Sequence, residues 1–377
     1  MDHKHSAALI VPGGIGSVEN VPSLLDLIER LSRSFTLTIY SFSDIVPHPV
    51  LAQNNCRVSF VSRWTGGNSV LKKLSCVWRI RRDAQTARFA VVHGFWAAPQ
   101  GFAAVLAGKL LGVPSIVSVL GGDIAHLPEI GYGGLRSFFH KSIARWTIKN
   151  AGRITLLTRF QQGVMEANGI SSPRASTIMF GADLSRFLFR PHPISTPVRL
   201  GFIGNINEVK DPFTLIKAFA ILRKKLECSL AIVGSDLLKG QAQEFARSLE
   251  VFDAIRWAGK SSHESIPEIL SNFDFLLLTS LYEGEAVVVM EAFAAGVVVV
   301  GTRVGLLADI GDERTTVMPG NAEGLAAKIR YLIRQPEIVR EMQERNRKFA
   351  EEHTSEMTSG EYKRLYEEVI SGSETKG

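Results

Sequence analysis

The sequence predicts an α/β protein made of two parallel-sheet domains in tandem. Three observations carry that expectation. Short β-branched runs alternate with longer amphipathic stretches, the alternation restarts midway, and a proline-rich connector separates the halves. At 377 residues the chain is too long for one ordinary domain and suits two of about 150 to 200 residues. Its 45% hydrophobic residues and 33 glycines suffice for two buried cores and many tight turns.

In the first half, strands are expected at residues 7–11, 37–40, 58–61, 90–93, 115–119, 153–157 and 176–179. Helical periodicity fills the intervals at 18–31, 70–84, 97–111, 135–149 and 159–167. The second half repeats the pattern, with strands at 199–203, 229–233, 254–257, 275–278 and 297–301. Its helices are expected at 212–225, 240–250, 265–270, 287–295 and 322–334, followed by helix-forming stretches at 337–352 and 360–370. Between the halves, Pro191, Pro193 and Pro197 make a stiff, non-helical connector. The boundary is therefore set there: a first domain over 1–190, a second over 191–355, and a final helical segment over 356–377.

Cys56, Cys76 and Cys228 are odd in number and widely spaced, so neither a disulfide framework nor a zinc site is expected. The apolar run Ala7–Val11 is too short for a signal-peptide core or a membrane span, and the last residues are polar and expected to fray. A cytoplasmic protein is the expectation. The net charge of +6 hides an asymmetry: residues 1–190 carry 21 Lys and Arg against 10 Asp and Glu, the remainder 22 against 27. A basic first half bears on partners rather than on fold.

The chemistry concentrates in residues 278–296. A strand ends near Ser280, a short loop holds Glu283 and Gly284, and a helix begins around Ala286. Free N–H groups at such a helix start form an anion site at the C-terminal edge of a parallel sheet. Glu291 falls one to two turns into that helix, among Val288, Val289, Met290 and Phe293. A carboxylate amid apolar neighbours needs a partner. A backbone N–H or a lysine would serve, and so would the two adjacent hydroxyls of a ribose.

The pattern Glu283-x₇-Glu291, within Ser280-x-x-Glu283-Gly284 and ending Glu291-Ala-x-Ala-x-Gly296, resembles the signature of the family 4 retaining glycosyltransferases. The resemblance covers most of the chain. The segment Phe202-Ile-Gly204-Asn205 through Lys210-Asp-Pro-Phe looks like the family's first strand–loop–helix of the donor domain. Ala231-Ile-Val-Gly234, Trp257-Ala-Gly259-Lys260 and Gly301-Thr-Arg-Val-Gly305 are similar to further family segments. In the first domain, Pro12-Gly13-Gly14-Ile15-Gly16 resembles the glycine loop after the first strand, and Phe180-Gly-Ala-Asp183-Leu-Ser-Arg-Phe187 the segment before the linker.

This resemblance implies a GT-B fold, two Rossmann-like domains facing a central cleft, with the last helix returning to the first domain. It implies a retaining transfer of sugar from a nucleoside diphosphate to a hydroxyl of a glycan or lipid-linked acceptor, in cell-envelope or polysaccharide synthesis. Lys210 would stabilise the departing phosphate, Glu283 would contact the donor sugar, and Glu291 the ribose. Asn205, Gly284, Glu285, Ala286 and Val287 would border the diphosphate and sugar, Gly14 and Gly16 would let backbone approach from the first domain, and Gly259 with Lys260 would border the base. No cofactor and no essential metal are implied.

Several positions depart from the family pattern. Asn205 stands where an arginine is usual, and Leu120 where many members carry a histidine. Glu285 replaces an aromatic, which would set a second carboxylate beside the diphosphate. His93 and Asp123 are then the remaining side chains expected to face the cleft. These departures keep two alternatives open, a sugar-nucleotide or glycan binding protein with a decayed site and a sugar-nucleotide epimerase of the same fold.

Two stretches of the first domain, residues 71–82 and 135–146, interleave basic and aromatic residues at helical spacing. Such helices suit either an anionic membrane surface or ordinary packing with solvated basic faces. With the basic balance of the whole domain, the expectation includes a peripheral place on the inner face of the cell membrane. No nucleic-acid-binding motif is present, and nucleic acid is not an expected partner.

Overall fold

The computed structural model describes residues 4–12, 22–42, 51, 56–61 and 69–374. The chain divides into two compact units, Met1–Met179 with Ser355–Gly377, and Phe180–Thr354.

The first unit is built on a parallel sheet of β1 (Ser6–Val11), β2 (Thr36–Ser41), β3 (Cys56–Phe60), β4 (Phe89–Phe95), β5 (Ser115–Val119), β6 (Arg153–Leu156) and β7 (Ala175–Thr177). The strands lie in the order β3-β2-β1-β4-β5-β6-β7, so the winding direction reverses between β1 and β4. Both faces are covered by helices, which is why β1 from Ala7 onward and all of β5 are buried and read as near-continuous apolar runs. The helix Ser355–Glu374 belongs to this unit. It buries Tyr362 and Tyr366 completely and brings the Tyr362 hydroxyl 3.0 Å from Ser118 Oγ and 3.1 Å from Thr155 Oγ1.

One expected helix is shorter than its periodicity suggests. Over 97–111 the regular α-helix runs only from Phe102 to Leu111, and the chain ahead of it is interrupted at Ala98, which is extended (φ −149°, ψ 138°). Residues Ala97–Gly101 form a separate turn.

The second unit holds β8 (Val198–Ile203), β9 (Cys228–Val233), β10 (Ile255–Gly259), β11 (Phe275–Leu278), β12 (Val298–Thr302) and β13 (Thr316–Val317), all paired in parallel. Their order, β10-β9-β8-β11-β12-β13, reverses between β8 and β11. Leu200, Phe202, Phe275, Leu277, Val298 and Val300 point from this sheet into a core closed by Leu215, Phe219, Leu325 and Ile329 of flanking helices. β13 has only two residues, too few for any alternation signal in sequence.

The unit boundary falls at Phe180, ahead of the proline connector at which the sequence set it. Residues 180–190 are fastened to the second unit. The Phe180 N–H donates to Glu285 Oε2 at 2.9 Å, Phe187 is buried, and the Arg190 N–H donates to the Ala295 carbonyl at 3.1 Å. Prolines advertise a connector, but these contacts decide where packing changes hands.

Candidate active site

In an open parallel sheet, ligands bind beyond the carboxyl ends of the strands where the winding reverses. In the second unit that point lies between β8 and β11, and the loops after these two strands carry Lys210 and Glu283. The first loop is shaped by its own polar side chains. Asn207 Oδ1 accepts the Lys210 N–H at 3.1 Å, and Asp211, in the left-handed region at φ 45°, caps the helix Pro212–Arg223 by accepting from the Thr214 N–H at 3.0 Å. The second loop is tied to the first: Thr279 Oγ1 donates to the Lys210 carbonyl at 2.8 Å, and the Leu281 N–H to the Val209 carbonyl at 2.7 Å. Lys210 Nζ thereby comes 2.5 Å from Glu283 Oε1, which also accepts from Ser280 Oγ at 2.5 Å. The lysine and glutamate side chains are 22% and 12% exposed, so each charge compensates the other where little water reaches.

After Glu283 the helix Val287–Ala295 begins at Ala286, held at φ 69° with no side chain capping its first turn. Its leading N–H groups carry the partial positive charge of the helix end. Gly305 makes this approach possible. At φ 54°, a Cβ there would stand 2.7 Å from the Glu285 carbonyl and 2.9 Å from Glu283 Cβ. The Leu306 N–H donates to the Glu285 carbonyl at 3.0 Å and pins the turn.

Glu285 does not lie where the sequence reading put it. Its side chain is 2% exposed, and Oε2 accepts the Phe180 N–H. Oε1 is buried with no partner among the described residues, and burial pushes the carboxyl well above its ordinary range. The left-handed conformation of Ala286 accompanies this inward turn. No second carboxylate is therefore directed at the helix N-terminus.

Glu291 is 7% exposed, and its Oε1 meets His263 Nε2 at 2.6 Å. His263 Nδ1 in turn lies 3.1 Å from Arg186 NH1, while Arg186 NH2 donates to the His263 carbonyl at 3.0 Å. Neither Arg186 nor His263 was singled out from sequence. The available signal was Arg186 within Asp183-Leu-Ser-Arg-Phe, a segment quoted only for its resemblance. Of the other expected donor-site residues, Asn205 is exposed, and Gly259 (φ 67°) ends β10 with its carbonyl accepting the Gly234 N–H at 2.8 Å. Lys260 is exposed beside it. Gly14 and Gly16 lie outside the described residues.

In the first unit, His93 cannot face a ligand. It is fully buried, with Nδ1 2.7 Å from the Tyr366 hydroxyl and Nε2 2.8 Å from Ser118 Oγ, and burial pushes the imidazole down to about 3. A histidine near a strand end gave no sign of the C-terminal helix that covers it. The Asp123 carboxylate is committed to backbone, accepting from the N–H groups of Ala97 at 2.6 Å and Gly121 at 3.3 Å. Burial raises its pKa.

The basic-aromatic stretches are helices Ser69–Ala87 and Phe138–Asn150, and their aromatics divide. Trp146 packs on Phe102 with ring centroids 5.1 Å apart, whereas Trp78 is 62% exposed and Phe138 86%. Among the described residues, no helix is long and apolar enough to cross a membrane, and no group of three or more His, Cys, Asp or Glu could hold a metal ion.

Comparison with known proteins bears on the family and the fold. Residues 186–349 match the family model "Glycosyl transferases group 1", and residues 21–181 match "Glycosyl transferase 4-like domain". N-acetyl-alpha-D-glucosaminyl L-malate synthase of Bacillus anthracis is 25% identical over 79% of this chain and 79% of its own length. Two solved structures share the fold at low identity. Sucrose-phosphate synthase from Thermosynechococcus elongatus has a TM-score of 0.81 at 15% identity, covering 98% of this chain and 100% of that one. Anabaena HepE, in complex with UDP and glucose, has 0.79 at 16%, covering 97% and 100%. With two matched domains that together take in most of its length and a doubled parallel-sheet architecture, the chain belongs to the GT-B glycosyltransferases of the family 4 type, which draw on nucleotide-sugar donors.

Proposed function

We propose that the chain transfers a sugar, with retention of anomeric configuration, from a nucleoside diphosphate sugar to a hydroxyl of a glycan or lipid-linked acceptor in envelope or polysaccharide synthesis. The observation that carries the donor half is the Lys210–Glu283 pair at the sheet reversal, beside the uncapped start of the Val287–Ala295 helix. On donor arrival, the Lys210 ammonium and the leading N–H groups of that helix take the diphosphate, and Glu283 turns to the sugar. Glu291 accepts from the ribose hydroxyls. As the bond from the anomeric carbon to the phosphate oxygen breaks, the acceptor oxygen bonds to that carbon on the same face. The acceptor's proton passes to the departing phosphate. Charge developing on the phosphate meets fixed donors that need no reorganisation, the largest general source of rate enhancement. The inward orientation of Glu285 supports this reading over a decayed site, because it removes the repulsion that the sequence suggested.

The acceptor half is supported by the surface of the first unit. Trp78 with Arg81 and Arg82 on one helix, and Phe138 and Phe139 with Arg145 on another, are exposed. A lipid-linked acceptor on an anionic membrane suits that chemistry. A panel of UDP-, GDP- and ADP-sugars assayed for nucleotide release with extracted lipid acceptors tests the proposal. UDP donors come first because HepE holds UDP and glucose. Donor binding without turnover on any acceptor would turn the reading toward a binding protein.

A further inference from the structure

Glu291 reaches its position through a chain of side chains that the sequence did not reveal. His263 opens the short turn His263–Ser265 after β10, and Arg186 closes the turn that Asp183 organises by accepting the Ser185 N–H at 3.0 Å and the Ser185 hydroxyl at 2.7 Å. The guanidinium grips one residue twice, at the ring nitrogen Nδ1 and at the carbonyl of His263. The contact between His263 Nε2 and Glu291 Oε1 is short, and the two side chains are only 16% and 9% exposed.

The chemistry of the donors fixes the protonation. A guanidinium has N–H groups and no acceptor, so at 3.1 Å His263 Nδ1 must accept. The ring then carries its proton on Nε2, and that N–H donates to the Glu291 carboxylate. Glu291 Oε1 is occupied and oriented by this bond, while Oε2 has no partner among the described residues. A carboxylate with one oxygen held and the other open is set to accept from a ligand's hydroxyl.

We propose that His263 is the positioning residue for Glu291, and that Arg186 acts through it by holding the ring in the tautomer that donates to the carboxylate. The inference rests on the reading that Glu291 accepts from the ribose of the donor. It adds that ribose recognition is built by three residues from three segments of the second unit, of which only one touches the nucleotide. Without Arg186, the ring loses its hold at Nδ1 and at the His263 carbonyl, and Nε2–H is free to swing away from the carboxylate. The competing arrangement is that His263 merely fills the ribose place and must leave before a nucleotide enters.

Calorimetric binding of UDP, GDP and ADP, each beside its 2′-deoxy counterpart, separates these cases. The full chain binds the ribonucleotide about tenfold better than the deoxy form, the scale of one hydrogen bond to a charged group. E291Q narrows that ratio. H263F, which keeps a ring and loses the donor, narrows it as well and weakens the ribonucleotide about tenfold, and H263Q, whose amide can donate, restores most of the loss. R186Q behaves as H263F, because Arg186 reaches Glu291 through His263. In turnover, H263F raises the donor KM and leaves kcat nearly unchanged, as expected for a contact made equally in ground and transition states. A merely structural histidine would lower thermal stability without changing the ribose-to-deoxyribose ratio. If E291Q leaves the ratio as it is, or no nucleotide binds, the ribose reading itself fails. If E291Q narrows it while H263F does not, only the positioning role fails, and tighter binding by H263F would show the ring to be an occupant.

Discussion

Lys210 Nζ and Glu283 Oε1 stand 2.5 Å apart, joining residues from two loops that meet only because β8 and β11 are neighbours in the sheet. Ser280 Oγ shares the same carboxylate oxygen, so Glu283 is held from two sides and its approach to Lys210 is set by the backbone of both loops. Under the proposed function, a phosphate would take the place of the carboxylate beside this partly buried ammonium group. On that reading the ammonium is a preorganised cation, whose value is realised as charge develops on the leaving group.

K210Q should therefore lower kcat by about 10² to 10³, the loss seen when one preorganised donor is removed. E283Q should lower it comparably, because it removes both the proposed sugar contact and the charged partner of the Lys210 ammonium. The double variant should fall little below the worse single one, since groups that act as a unit are not additive. Nucleotide-release kinetics on the four proteins decide the matter. Losses that multiply would mean that the two side chains act independently.

Glu285 gives a stability prediction whose sign follows from its surroundings. Burial raises its folded pKa well above the ordinary 4.5. The unfolded chain therefore releases this proton at lower pH than the native one. Stability associated with the group is complete below about pH 4.5 and declines as pH rises through the interval up to the folded pKa. E285Q stays neutral throughout and can still accept the Phe180 N–H. Its melting temperature should match that of the parent at acid pH and exceed it by a growing margin toward pH 8. A gap that stays constant with pH, or that reverses, would mean that Glu285 ionises without penalty in the native state.

The placement of Lys210 and Glu283 in loops after strands, and of Glu291 on a helix, was legible in the sequence, and for a physical reason. Lys210, Glu283 and Glu291 lie in contiguous strand–loop–helix units, and local spacing alone sets them at strand ends and a helix face. What remained hidden depends on tertiary placement. Arg186 and His263 are 77 residues apart, and His263 and Glu291 are 28, so their meeting depends on how the segments fold together and leaves no periodic trace. Glu285 was set beside the diphosphate from its position in the family pattern, and that pattern carries no sign of the left-handed backbone at Ala286 that accompanies its inward turn. His93 was misplaced because its covering tyrosines come from the far end of the chain.

His93 yields a second pH prediction, of opposite sign. Its folded pKa, down to about 3 from 6.5, means that the unfolded chain takes up a proton first as pH falls. The stability that depends on the neutral ring is complete above pH 6.5 and is lost as pH drops from there toward 3. H93Q should cost about 1 to 3 kcal/mol at neutral pH, because Ser118 and Tyr366 lose a buried partner. It should also flatten the fall in melting temperature between pH 6.5 and 4. Thermal melts across that range test both parts, and an unchanged slope would assign the acid sensitivity to other groups.

Gly234 marks where the loops after β8 and β9 close on each other. It sits at φ 148°, and a Cβ there would fall 1.9 Å from the Gly204 carbonyl oxygen. Backbone on both sides cannot yield without displacing the loop that leads to Lys210. G234A should be destabilised by about 1 to 3 kcal/mol, the usual range for a side chain forced into a special backbone position. It should also lose donor affinity. Denaturant unfolding and nucleotide binding check it, and a variant of parental stability would show that the two loops can separate freely.

The exposed aromatics of the first unit make a prediction about where the protein works. Trp78 is 62% exposed and has the Arg82 guanidinium 5.4 Å from its ring, while Phe138 and Phe139 open their helix at 86% and 57% exposure. Large exposed aromatics beside arginines carry a desolvation gain that water does not realise and an interfacial layer does. Each cation near an anionic surface adds about 1 kcal/mol, screened beyond about 10 Å at 0.1 M salt. The full chain should therefore float with phosphatidylglycerol vesicles at low salt, stay in solution with phosphatidylcholine alone, and release as salt rises. W78S with F138S should weaken flotation while leaving soluble nucleotide binding as it was, because neither residue belongs to the unit that carries Lys210 and Glu291. Absence of flotation on anionic vesicles at low salt would remove the support for a membrane-borne acceptor and leave the basic balance of residues 1–190 without a partner.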